Sequence, residues 1–233
     1  MKNEPQRTST LPNGNDIRLP WHLRLPAPLE RDFADYFRGS VASVTPWAAA
    51  SLVALLILAL IVEYTISPEV AAVTWRPRLL CVMLIVATAL IARRADWRRW
   101  LHVSSLAVAF AVALTGNWMG LNVDHAMAFG LFLQTPLAIL MACVVLRVPF
   151  HLAAVSSLAM LGILVLTLFG SDRVDRDLSL VLLLLSVASA SMSLFGQYIY
   201  ERLLRQHFLS ENVLFQHRDE LHSANRILEN QAT

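Results

Sequence analysis

Residues 178–233 read LSLVLLLLSVASASMSLFGQYIYERLLRQHFLSENVLFQHRDELHSANRILENQAT. The first part, Leu178–Tyr200, is apolar enough to cross a bilayer. The second part is polar, and from Gln197 to Thr233 it contains no Gly and no Pro. Nothing there stops a helix, so one helix is predicted to leave the membrane and continue as a polar rod. With Leu204 at heptad position a, position d falls on His207, Leu214, Leu221 and Leu228. Position a falls on Leu204, Glu211, Arg218 and Asn225, and Phe208 and Phe215 lie on the adjacent e face. The d seam is good and the a seam is poor. In a parallel in-register pair Asn225 would meet its twin, a device that fixes register at a cost in stability. Glu211 would meet Glu211 and Arg218 would meet Arg218, which repels. The pattern describes a weak parallel coiled coil in a homodimer, carried by Leu204, Leu214, Leu221, Asn225 and Leu228. A solitary exposed helix is the alternative, because three Leu heptads are few.

The remainder of the chain fits a membrane setting. Of its 233 residues 56% are hydrophobic and only 15% are charged, where a soluble domain carries about one quarter charged residues. The mean hydropathy is +0.54. A formal net charge of +2 gives no argument for nucleic acid. The first 45 residues are polar and contain Pro, which is unlike a secretory signal. Residues 1–25 are expected to form a disordered cytoplasmic tail.

Six apolar segments follow: Trp47–Tyr64, Leu79–Ala92, Leu101–Thr115, Ala126–Leu146, Leu152–Phe169 and Leu178–Tyr200. A span needs ~20 residues. The second and third reach that length as Trp75–Ala95 and Trp97–Asn117, if Arg and Trp at their ends sit at the interface. Five of the six tryptophans, at 47, 75, 97, 100 and 118, fall at segment ends. With the N-terminus inside, fifteen of the nineteen Lys and Arg residues are internal, and only Arg76, Arg78, Arg173 and Arg176 are external. The positive-inside rule then places both termini in the cytoplasm. The expected fold is an all-α membrane protein, with six transmembrane helices over 46–200 and the last continuing into a cytoplasmic dimeric coiled coil over 201–233.

Residues 26–45 precede the first span. Leu29, Phe33, Tyr36, Phe37, Val41 and Val44 recur there at helical spacing, opposite Glu30, Arg31, Asp32 and Asp35. Pro28 suits a helix start. This segment is expected to be an amphipathic helix lying on the inner membrane surface or against a partner helix.

Polar residues at membrane depth mark candidate sites. One group gathers at the predicted outer ends of the spans: Glu63, Asn117, Trp118, Asp124 and His125, with Gln134 deeper. Glu63, Asp124 and His125 carry the donors for a metal or a cationic ligand, although short interfacial loops are commonly just hydrated. His102 and His151, at inner ends, lie beside Trp100 and Phe150. No second pair at matching depth accompanies them, so haem is not expected. Cys81 and Cys143 lie in apolar runs and read as buried small hydrophobes, with no disulfide or zinc pattern. The run 188–193, Ala-Ser-Ala-Ser-Met-Ser as far as its small residues go, allows close helix approach, either at a dimer seam or within one protomer. No phosphate loop, HExxH, GxSxG or CxxC motif occurs, so neither a catalytic residue nor a bound metal is expected in this chain. The Asp172, Asp175 and Asp177 loop alternates with Arg173 and Arg176 and neutralises itself.

The tail RDELHSANRILENQAT (218–233) resembles the linker helix that enters the catalytic domain of bacterial diguanylate cyclases, the GGDEF family. Those linkers carry Ala-Asn-x-x-Leu-Glu and then Ala-Thr. Ala224, Asn225, Leu228, Glu229, Ala232 and Thr233 match. The PLERDF segment (28–33) is similar, more loosely, to the entry of six-span sensor modules in these cyclases. The resemblance implies a sensor and transducer region in a bacterial inner membrane, whose cyclase domain lies outside this chain. GTP, Mg2+ and c-di-GMP would belong to that domain. The resemblance also implies control through dimer geometry, and a lipid-like or other hydrophobic ligand suits loops this short. The other readings are the anchor of a bacterial adenylate cyclase, a non-enzymatic membrane scaffold and a small transporter. The last would need polar residues inside the spans or a pair of broken helices.

Overall fold

The structure is a computed structural model that describes residues 23, 25–123, 125–171 and 174–232. Every regular element among them is a helix. In chain order these are α1 (Ala27–Ile66), α2 (Pro68–Arg93), a 3-10 helix (Ala95–Trp100), α3 (Leu101–Asn122), α4 (His125–Phe132), α5 (Gln134–Leu140), a π-helical turn (Met141–Val145), α6 (Phe150–Phe169) and α7 (Arg176–Ala232). Six segments among these helices are long and apolar enough to cross a membrane.

The outer surface supports that reading. Leu58, Ile61, Val155, Leu158, Leu166 and Leu184 are all exposed, and soluble proteins rarely expose apolar patches on this scale. At the segment ends Arg76 stacks on Trp75, Arg94 on Trp97 and Arg99 on Trp100, with 5.1–5.6 Å to the ring centroids. An amphipathic ring beside a cation suits the headgroup layer. Within the apolar segments, hydroxyls turn inward to their own helix. Thr88, Thr115, Thr167 and Ser186 each donate to the carbonyl four residues earlier, which satisfies them without a second helix.

Two compact units divide the chain: Ala34–Glu201, and the ends before and after it. In the larger unit the third and fourth segments are central. Half or more of their apolar windows is buried, 50% and 56%, against 11% for the first. Gly116 and Gly120 explain how α3 approaches α4 and α5 so closely. A Cβ at Gly116 would lie 2.6 Å from the Gln134 Cβ, and one at Gly120 would lie 2.8 Å from the Phe132 ring. Small residues four apart let helix backbones come together in an apolar medium.

The fourth span runs as one apolar segment over Ala128–Val145, with a one-residue irregularity at Leu133 between α4 and α5 and a π turn at its end. Pro136, in α5, lacks the N–H that would bond the Phe132 carbonyl, and its ring crowds that position. Residues 27–45 are helical and continue through Pro46 into the first span as one helix, α1. Phe33, Phe37 and Val41 on their apolar face are buried. The small-residue run in α7 splits: Ala190 and Ser193 are buried within the protomer, while Met192 is exposed. Cys81 and Cys143 are free and buried. Most of the expected N-terminal tail lies outside the described residues. Leu23, which is described, is buried.

In the smaller unit, Glu30 of α1 receives a two-point contact from Arg205 of α7, with both distances 2.8 Å. The Leu25 amide also donates to Glu30. The Arg205 guanidinium lies 4.2 Å from the Phe33 ring centroid, and Phe33 meets Phe208 edge-on.

Candidate functional site

The turn between α1 and α2 is tight: one residue, Ser67, separates Ile66 from Pro68. Pro68 at the first helical position is pre-set for a helix start. The hairpin sets the end of α1 beside the start of α2. Side chains on a helix tilt toward its N-terminus, so Thr74 and Arg78 reach back toward the turn, where Glu63 closes α1. The Thr74 Oγ1 donates to Glu63 Oε2 at 2.7 Å, and Arg78 Nη2 donates to Glu63 Oε1. Arg78 is 4% exposed, and the Glu63 side chain is 14% exposed. The pair is therefore largely desolvated.

Arg78 is under-used. A guanidinium carries five N–H donors, yet the Arg78 Nε and Nη1 are buried with no hydrogen-bond partner. Such donors are costly in an apolar setting. Arg78 also lines a cavity of about 390 Å³, together with Glu63, Gln134, Met141 and aliphatic side chains of α1, α4 and α5, but its Nε and Nη1 are buried away from that opening. Gly130 forms part of the wall, and a Cβ there would meet nothing within 4 Å. The cavity size is that of a small-molecule site, mostly apolar with a few converging polar groups.

The expected outer group is only partly gathered here. Glu63 lies in the cavity, but its carboxylate is already taken by Arg78 and Thr74, so no bare anion waits for a metal or cation. Asn117 is buried elsewhere and accepts from Thr135 Oγ1 at 2.9 Å. Trp118 is half exposed. Asp124 lies outside the described residues, as does the side chain of His125. Among the described residues no three His, Cys, Asp or Glu side chains converge on a metal position. Arg78 and Thr74 were not anticipated. By position Arg78 counts as an external loop charge, although it lies inside the extended second span. Its spacing of four from Thr74 and the nearby single-residue turn were the available signals.

A second polar cluster ties α7 to the segment between the π turn and α6. Gln197 Nε2 donates to the Val148 carbonyl at 2.6 Å. The Phe150 amide, at the first residue of α6, donates to Glu201 Oε2 at 2.7 Å. Arg147 Nη1 donates to the Tyr200 hydroxyl at 2.8 Å, and its guanidinium stacks on that ring. Arg147 has a φ of 48°, in the left-handed region that costs a non-Gly residue of order 1–3 kcal/mol. These bonds hold that backbone in place. A carboxylate at the N-terminus of α6 also meets the favourable end of its dipole.

Of the coiled-coil positions, Leu214, Leu221, Asn225 and Leu228 are exposed and Leu204 is half-buried. Arg205, Phe208 and Leu209, which are buried, are heptad positions b, e and f. They lie to one side of the a/d seam. Set beside protein-family models, curated proteins and solved structures, the chain matches none of them.

Proposed function

We propose that this chain is a membrane-embedded sensory and dimerisation module of a bacterial inner membrane, with both ends in the cytoplasm. It transmits a signal through α7 to a diguanylate cyclase domain, which makes c-di-GMP from GTP. GTP and Mg2+ belong to that domain, and no residue of this chain is assigned to them. The observation that carries the reading is α7 itself. It is one helix of 57 residues, whereas a span uses roughly 20. The likeness of Ala224–Thr233 to cyclase linkers supports the choice of output domain.

The mechanism follows from two features of α7. Its exposed Leu214, Leu221 and Leu228 form a seam that a second copy would cover. Glu211 and Arg218, each facing its twin, would keep that seam weak enough to change rotation. Gln197, Tyr200 and Glu201 fasten α7 to the backbone after the π turn, and Met141 belongs both to that turn and to the cavity wall. A molecule in the cavity shifts the equilibrium between two rotations only by its differential affinity for them.

The test fuses a diguanylate cyclase domain after residue 233 and inserts one to four residues after Arg218, beyond the contact of Arg205 with Glu30. Each residue turns the helix by ~100°. Cyclase activity should fall and recover with helical phase, and a seven-residue insertion should restore it. Activity indifferent to phase overturns transmission through α7. Single cysteines at 214, 221 and 228, in a background lacking Cys81 and Cys143, should crosslink between copies. The absence of crosslinks at all three overturns the dimer.

A further inference from the structure

The turn between α2 and α3 carries the sequence RRADWRRW (93–100), and the apolar segments on either side of it put it at one membrane surface. There the 3-10 helix and the part of α1 that precedes its apolar segment border a second cavity, of about 330 Å³, within the larger unit. Its lining is mostly polar: Asp35, Arg38 and Gly39 from α1, and Asp96, Arg98 and Arg99 from the 3-10 helix. The two aspartates do not neutralise it. Arg38 Nη2 donates to Asp35 Oδ1 at 2.5 Å, which uses one charge of each sign. That leaves Asp96 with Arg98 and Arg99, and none of these three forms an ion pair among the described residues. Arg93 and Arg94 stand just before them, both exposed. Five arginines thus face two aspartates over residues 35–39 and 93–99. A guanidinium presents paired N–H groups that match two phosphate oxygens. Arg99 lies over the Trp100 ring, a contact made through the guanidinium face that leaves its in-plane donors available. Trp97, Trp100 and Val103 are exposed beside the cavity. In a bilayer they meet the upper acyl chains, so the cavity lies at headgroup depth.

We propose that this cavity binds the phosphate of an anionic phospholipid in the leaflet that borders the α2–α3 turn. Basic pockets between transmembrane helices take such headgroups. A zwitterionic lipid brings its own cation, which the arginines repel, so it binds more weakly. The cavity admits a phosphate with its glycerol and leaves the acyl chains in the bilayer. The site requires the membrane setting only, so it stands or falls independently of the proposed output domain.

The experiment uses the full chain in dodecyl maltoside, titrated with dioleoyl phosphatidylglycerol or dioleoyl phosphatidylcholine. Bound lipid is counted by native mass spectrometry. The first phosphatidylglycerol should bind at least fivefold more tightly than the second, and than the first phosphatidylcholine. Arg98→Gln/Arg99→Gln should weaken that first binding at least fivefold. Arg76→Gln removes the arginine stacked on Trp75 at the other end of α2 and should leave it unchanged. Gly39→Phe alters no charge and sets a ring in the cavity lining, where a Cβ meets nothing; it should also weaken binding at least fivefold. If the double variant fails to fold, Arg99→Gln, at an exposed residue, replaces it and should weaken binding at least twofold. Equal affinity for the two lipids overturns the charge argument. Unchanged binding in the arginine variants, or as great a weakening in Arg76→Gln, means a diffuse positive surface and overturns the site. Undiminished affinity in Gly39→Phe means binding outside the cavity and overturns it equally. Displacement of the lipid by millimolar inorganic phosphate means that free phosphate is the occupant, which overturns a lipid ligand.

Discussion

Arg78 and Arg205 each face a glutamate, and the two pairs are built differently. Arg205 places both Nη atoms on the two oxygens of Glu30, rests on the Phe33 ring, and shares its glutamate with the Leu25 amide. The Glu30 side chain is 38% exposed, so water helps to solvate it. Arg78 reaches Glu63 through one nitrogen, its other two nitrogens are buried without partners, and the pair has little water around it. The first pair is a fork filled by its own chain, which is what a structural fastening needs. The second spends desolvation on donors that the protein does not use. Buried donors left empty are rare in native structures, so the second pair is the costlier of the two.

The sharpest way to break this comparison is to remove each arginine in turn. Arg78→Met leaves Glu63 buried with Thr74 as its remaining partner. Losing one member of a buried pair costs about 3–5 kcal/mol, so unfolding in detergent should occur at markedly lower denaturant or temperature. Glu63→Gln/Arg78→Met should recover most of that loss, because it removes the uncompensated charge. If Arg78→Met is as stable as the parent, the pair is hydrated and the contrast with Arg205 disappears.

What the sequence could reveal of this site follows from how local each signal is. Hydropathy is local, so all six apolar segments are visible in it, and the tryptophans mark their ends. Helix continuity is nearly as local. It is harder to read where a proline intervenes. Pro46 removes one backbone bond from α1 and the helix continues, and Pro136 coincides with a one-residue irregularity at Leu133 inside a span that still runs over Ala128–Val145. Pairings between helices are not local at all. Glu63 was identifiable as an acid at membrane depth, but its partner had been counted among the loop charges. The Asn117–Thr135 bond likewise depends on which helices α3 touches, and the tight approach at Gly116 and Gly120 settles that only once α4 and α5 are in place.

Arg205→Ala is expected to have a smaller effect than Arg78→Met. A partly exposed pair contributes up to about 1 kcal/mol, and the ring contact adds a comparable amount. The loss should therefore be about 1–2 kcal/mol, confined to the small unit. It would be read as amide exchange at residues 25–33 accelerated roughly five- to thirtyfold, with the α3 amides unchanged. Arg205→Lys should fall between the two, because an ammonium cannot fill both carboxylate oxygens at once. Equal acceleration in α3 would mean that the Glu30 contact supports the whole chain, and it would no longer be a local fastening.

The smallest expected effect is also the most discriminating, because it changes no residue. At 1 M salt the screening length drops to about 3 Å, from about 10 Å at 0.1 M. The Glu30–Arg205 pair is open to ions on its glutamate side, so the cost of Arg205→Ala should shrink by a few tenths of a kcal/mol. The cost of Arg78→Met should stay constant, since the low-dielectric surroundings of Glu63 exclude the counterions that would screen it. Stability measured for both variants against the parent, at 0.1 M and 1 M salt, decides the matter. A salt-sensitive Arg78 effect would place ions, and hence water, at Glu63. The Glu63 carboxylate would then be hydrated like that of Glu30, and the contrast between the two pairs would be gone.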